Sequence, residues 1–202
     1  KFLPEAESLN VSVKFYSFDE EKNDQVAVLQ HLLDGAEPVD GLLTMPAQCD
    51  DAMQRVLERF ADKGIPVVLI DNDLPDSRRL CCVAPHNQMT GRLGAEILTG
   101  ITHTPGKILV ADGSAESASH RHNLKGFREY IEENQLPFEL LEIQGYESTD
   151  KCYAEACRLL RSDPEIVAFY SVTARNTLPL GHAVQDCGLA GKLRGVCSDL
   201  YP

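Results

Sequence analysis

Short, nearly all-apolar runs alternate along this chain with longer stretches whose apolar residues recur every three or four positions, and that alternation leaves few folds open. Pro66–Ile70, Lys107–Ala111 and Ile166–Tyr170 have no polar alternate face, so as strands they need cover on both sides. Between such runs lie stretches with helical spacing. Asp24–Leu33 carries Val26, Leu29, Leu32 and Leu33, and Asp50–Lys63 carries Met53, Val56, Leu57 and Phe60 ahead of the stop signal Gly64. Met89–Leu98 has Leu93 and Ile97 with the small Gly94 and Ala95, and Arg121–Asn134 places Leu124, Phe127, Tyr130 and Ile131 on one face. Strands are expected at Val11–Phe18, Gly41–Pro46, Leu80–Ala84, Glu139–Ile143 and Leu193–Cys197, and further helices at Asp150–Arg161 and Leu178–Cys187. Strand followed by helix, repeated, gives parallel sheets joined by right-handed crossovers and covered on both faces. The expectation is an α/β chain of two Rossmann-like lobes. They divide at the loop Ile101–Gly106 into residues 1–101 and 102–202, with a hinge at Thr102–Pro105.

Charge and cysteine content exclude several functions. A net charge of −12 and no basic stripe oppose direct contact with nucleic acid phosphates. No apolar run approaches the ~20 residues that span a bilayer. Cys49, Cys81, Cys82, Cys152, Cys157, Cys187 and Cys197 are odd in number and lack the paired spacing of a zinc site or a disulfide framework, which points to reduced structural thiols in the cytoplasm and to no metal site. Catalysis lacks its usual parts. Ser114, His120 and Asp112 could be cast as a triad, but Gly113-Ser114-Ala115 is no nucleophile elbow. His120 and His122, two apart, would diverge on a helix. No catalytic residue and no cofactor are expected.

In open parallel sheets, ligands bind beyond the carboxyl ends of the strands. Those ends carry Asp19, Met45-Pro46, Asp71-Asn72-Asp73, Gly113-Ser114, Thr173–Asn176 and Ser198-Asp199. The set is polar without being basic, and carboxylates and amides of this kind engage adjacent hydroxyls. A sugar or small polyol fits. A dinucleotide does not, because Asp112-Gly113-Ser114-Ala115-Glu116 lacks the glycine-rich phosphate turn and carries two acids.

Four stretches carry a family likeness. They are Val39-Asp40-Gly41-Leu42-Leu43-Thr44-Met45-Pro46, Lys63-Gly64-Ile65-Pro66-Val67-Val68-Leu69-Ile70-Asp71, Ser119-His120-Arg121-His122-Asn123-Leu124-Lys125-Gly126-Phe127 and Gly195-Val196-Cys197-Ser198-Asp199. In this order they resemble the type I periplasmic-binding-protein-like domain shared by LacI-type bacterial regulators and periplasmic sugar-binding proteins. The resemblance implies ligand contacts from Asp71 and Asn72 on one lobe and from Arg121 and Asp199 on the other, with Asn176 near the last helix. Arg121 is expected to begin a helix that points into the cleft. His86-Asn87 stands where the family has an aspartate–asparagine pair, and His86 reads as a solvated loop residue. The likeness also implies truncation at both ends, Lys1–Leu9 being the end of the first helix. The leading expectation is the effector-sensing domain of a LacI-type regulator, acting on DNA through a region absent here and as a homodimer when intact. The alternative is a periplasmic solute-binding protein of a transporter, and a sugar-modifying enzyme comes third.

Overall fold

The computed structural model describes residues 2–18, 24–35, 38–115, 117–145 and 148–199. The elements in chain order are α1 (Phe2–Ser8), α2 (Gln25–Asp34), β1 (Leu42–Thr44), α3 (Asp51–Asp62), β2 (Val67–Ile70), β3 (Cys81–Val83), α4 (Asn87–Ile101), β4 (Gly106–Ala111), α5 (Ala118–Glu133), β5 (Phe138–Ile143), α6 (Thr149–Ser162), β6 (Ile166–Ser171), α7 (Ala174–Asp186) and β7 (Arg194–Cys197). They form two compact units, one of residues 1–69 with 74–81, the other of residues 70–73 with 82–202.

In the first unit β1 runs parallel to β2, Leu42 facing Val67 and Thr44 facing Leu69. The amphipathic stripe of α3 is buried as its spacing requires, with Met53, Val56, Leu57 and Phe60 at 2% exposure or less. Asp50 caps this helix by accepting the Met53 N–H at 2.8 Å. Val11–Phe18, expected as a strand, joins neither sheet. Val11, Phe15 and Tyr16 are exposed there, and β-branched and aromatic content makes a strand only where a neighbour's edge takes up the backbone N–H and C=O groups.

The second unit holds a four-stranded sheet of order β5-β4-β6-β7 with every pairing parallel. Successive strand residues face opposite ways, so β4 feeds two cores at once. Leu109 and Ala111 pack with Cys152, Ala156, Cys157 and Leu160 of α6 and Leu180, Ala183 and Val184 of α7. Ile108 and Val110 pack with Ala95 and Leu98 of α4, Leu124, Phe127 and Ile131 of α5, and Tyr170 of β6. Phe127 and Tyr170 stack with ring centroids 4.1 Å apart.

The sequence places α4 at the end of the first lobe, yet it packs on α5 in the second unit. Glycines permit this. A Cβ on Gly91 would lie 1.8 Å from the Asn123 carbonyl oxygen, one on Gly126 1.9 Å from that of Gln88, and one on Gly94 2.8 Å from the Tyr170 ring. The expected hinge, Thr102–Pro105, is consequently the link from α4 to β4 inside the second unit.

Candidate functional site

The polar cluster of the second unit lies where β4, β6 and β7 end and α5 and α7 begin, a placement that follows from parallel strands each entering a helix. Three helix starts, those of α4, α5 and α7, fall earlier than their apolar rhythm indicates, and at α4 and α5 a polar cap rather than the first apolar residue sets the start. Ser117 caps α5 by accepting the His120 N–H at 3.4 Å, so Arg121 sits within the helix instead of opening it. His86 is exposed, as expected of a loop histidine, and it also caps α4, its Nδ1 accepting the Met89 N–H at 3.2 Å. Helix α7 begins at Ala174 and carries Pro179 inside it, which places Asn176 in its first turn.

Asp71, at the end of β2, has φ of +62°, a left-handed conformation uncommon outside glycine, asparagine and aspartate. Its backbone N–H donates to the Val83 carbonyl at 3.0 Å, and the turn it makes presents the following residue. The Oδ1 of Asn72 accepts from both Ser117 and Ser119 hydroxyls at 3.2 Å, and those two hydroxyl oxygens are 2.8 Å apart. Both hydroxyls donating to Oδ1 identify it as the carbonyl oxygen of the amide.

His120 sits over Gly113, where a Cβ would come within 2.5 Å of the imidazole. Its Nδ1 accepts the Ser114 backbone N–H at 3.0 Å, which requires that nitrogen to be unprotonated. Burial lowers the His120 pKa below the ordinary histidine value, with the Asp71 carboxylate pulling weakly the other way. The Asp112 carboxylate accepts the Gly113 N–H at 2.7 Å, and burial raises its pKa. The Ser114–His120 contact thus runs from backbone N–H to ring, and Asp112 engages Gly113. Neither contact is one that a hydrolytic triad would make.

The predicted site residues fall into two groups. Asp71 and Asn72 meet the start of α5, where Arg121 is exposed and its guanidinium donates to the Ala115 carbonyl. Asn176 and Asp199 meet the start of α7. Asn176 is fully buried and its Nδ2 donates to the Asp112 carbonyl at 2.6 Å, tying α7 to the end of β4. The Asn176 Oδ1 and Thr173 Oγ1 are buried without a partner among the described residues. Asp199 is exposed, and its carbonyl accepts from the Thr177 hydroxyl at 2.9 Å. Asp19 lies outside the described residues.

Sequence reasoning missed the serines and a buried relay behind them. The Tyr170 hydroxyl donates to Asn123 Oδ1 at 2.6 Å and lies 2.6 Å from Ser198 Oγ, while Asn123 Nδ2 donates to Ser198 at 3.0 Å. Burial raises the Tyr170 pKa, so the phenol stays protonated as a donor. Ser117-Ala118-Ser119 ahead of a helical pattern is a capping signal that could have been read. Nothing local marks Asn123 or Tyr170.

The cluster offers hydroxyls, amides, the carboxylates of Asp71, Asp112 and Asp199 and the guanidiniums of Arg121 and Arg175, suited to hydrogen-bonding a hydroxylated solute. Among the described residues no group of three or more His, Cys, Asp or Glu is placed to hold a metal ion, and no helix is long and apolar enough to cross a membrane.

A family model described as a periplasmic binding protein domain matches residues 4–202. The chain is similar to a solved sugar ABC transporter sugar-binding protein from Bacillus halodurans, with TM-score 0.87, 22% identity, and coverage of 97% of this chain and 67% of that one. It is also similar to GanP, a glucose-galactose binding protein from Geobacillus stearothermophilus, with TM-score 0.83, 22% identity, and coverage of 96% and 69%. AraP, an arabinose binding protein from the same organism, gives TM-score 0.83, 22% identity, and coverage of 97% and 67%. No curated protein matches the chain.

Proposed function

The chain belongs to the periplasmic binding protein domain family, and from that premise we propose that it binds a small neutral sugar or polyol without transforming it, as the solute-binding component of a transport system. The carrying observation is the donor set at the strand ends of the second unit. Asn72 is held by Ser117 and Ser119, Asp112 and Asn176 are tied together, and carboxylates stand at Asp71 and Asp199. An anionic ligand would need several cations, and the cluster has Arg121 and Arg175 among the five acidic or amide groups of Asp71, Asn72, Asp112, Asn176 and Asp199. The names of the three solved neighbours above, each a sugar-binding protein and one of them of a sugar ABC transporter, support the transport reading over the regulator that the sequence motifs first suggest.

Calorimetric titration with a panel of aldoses, polyols and sugar phosphates tests this. A neutral sugar should bind and be recovered unchanged. Arg121→Ala and Asp199→Ala should each weaken it about 10- to 100-fold, the worth of a hydrogen bond to a charged group. Undiminished affinity in both variants, preference for the phosphates, or turnover of the sugar would overturn the proposal.

One observation favours a second reading, the cytoplasmic sensing domain of a dimeric LacI-type regulator. None of the seven cysteines is in a disulfide, which suits a reducing compartment. The gene sequence immediately upstream discriminates the two, a helix-turn-helix supporting the regulator and a secretory leader the transporter.

A further inference from the structure

Cys157 lies on the face of α6 that packs on α7, and Cys187 is the residue that ends α7. The Cys187 thiol donates to the Cys157 carbonyl oxygen at 3.8 Å, and both side chains meet in the core that α6 and α7 share. They are not equivalent. Cys157 is 5% exposed, whereas Cys187 is half-buried; burial and the neighbouring Cys157 raise the Cys187 pKa, and the exposed Arg161 guanidinium beside it offsets this only in part. Tyr153 closes the cluster, its hydroxyl donating to Asp186 Oδ2 at 2.8 Å beside Cys157. Cys152 is wholly buried, and its thiol is pushed up to about 11 by burial alone. An accessible thiol beside a cation, backed by a buried second thiol within reach, is the arrangement of an attacking and a resolving cysteine.

We infer that Cys157 and Cys187 form a reversible disulfide stapling α6 to α7, with low-molecular-weight disulfides as the oxidant. The Cys187 thiolate attacks one sulfur of R–S–S–R, forming a mixed disulfide and releasing one R–S⁻, which takes up the proton that Cys187 lost. Cys157 then loses its proton, and its sulfur attacks the Cys187 sulfur and expels the second R–S⁻, which becomes R–SH. Two protein thiols are oxidised and one external disulfide is reduced to two thiols. The start of α7, with Asn176, is about 16 Å up the helix from Cys187 at 1.5 Å per residue, so the staple leaves the polar cluster in place. The inference does not rest on the proposed sugar binding.

The whole chain incubated with oxidised glutathione, then digested without reductant and analysed by mass spectrometry, tests it. A peptide cross-linked through Cys157 and Cys187 should appear first, and the oxidised chain should melt about 5–10 °C higher than the reduced one, since the bond closes a loop of about 30 residues. Cys157→Ser should halt at a stable glutathione adduct on Cys187, and Cys187→Ser should block the reaction at both positions. Differential alkylation of the parent chain gives the same reading if either variant does not fold. Equal modification of all the accessible cysteines, a cross-link between any other pair, or a Cys187 adduct that never resolves in the parent would overturn the inference.

Discussion

Replacing Gly126 by alanine tests the feature of the fold that the sequence hides most completely, the seating of α4 on α5. The added Cβ would sit 1.9 Å from the Gln88 carbonyl oxygen, where ordinary contact begins at 3.4 Å, and the obstacle is backbone that no rotamer change can move. The helices must therefore separate by about 1.5 Å, enough to forfeit about half of the dispersion contact along their seam. Forcing an extra methyl into a tight core costs about 1–3 kcal/mol, and an unyielding neighbour argues for the top of that range. Removing a helical glycine returns about 1 kcal/mol. The net loss is about 2 kcal/mol, or a fall in Tm of about 4–8 °C for a chain of this size. Calorimetric melting measures it, with Gly100→Ala on the partner helix α4 as the control. A Cβ at Gly100 meets nothing within 4 Å, so there the propensity gain should appear alone as a small rise in Tm. A Gly126→Ala chain that melts at or above the parent would refute the helix seating.

Tyr170→Phe should cost about 1–3 kcal/mol in urea denaturation, because Asn123 and Ser198 lose a buried partner, and an unchanged midpoint would remove the relay from any account of stability. His120 makes stability depend on pH. Its folded pKa lies below the unfolded value of about 6.5, so the unfolded chain binds the proton first and stability falls as pH drops from about 6.5 toward the folded pKa. Protonation also breaks the Ser114 N–H contact to Nδ1. Denaturation between pH 7.5 and 5 should show the loss and His120→Gln should flatten it, whereas identical profiles would exclude His120 as the source.

The strands at 67–70, 107–111 and 166–170 were legible because a short, nearly all-apolar run of strand length between helical stretches fits a strand covered on both faces, and the α3 and α5 stripes because helical spacing assigns a core side by itself. Their order alone indicates parallel sheets, and it places Asp71, Asn72 and Asp199 at strand ends before any coordinate is consulted. Local patterning could not say which unit α4 belongs to. Gly91 and Gly126 count against a helix in a propensity scale, and only the opposing carbonyls of Asn123 and Gln88 reveal them as clearance. Nor could it show that Asn72 is held by Ser117 and Ser119, or that Asn176 is buried on Asp112, since those partners lie 45 to 64 residues apart in sequence. Short-range periodicity encodes which side of an element is apolar. Which element that side meets, and which polar groups are drawn together as a result, is decided by long-range packing, because only then do excluded volume and the demand for buried hydrogen-bond partners act between distant residues.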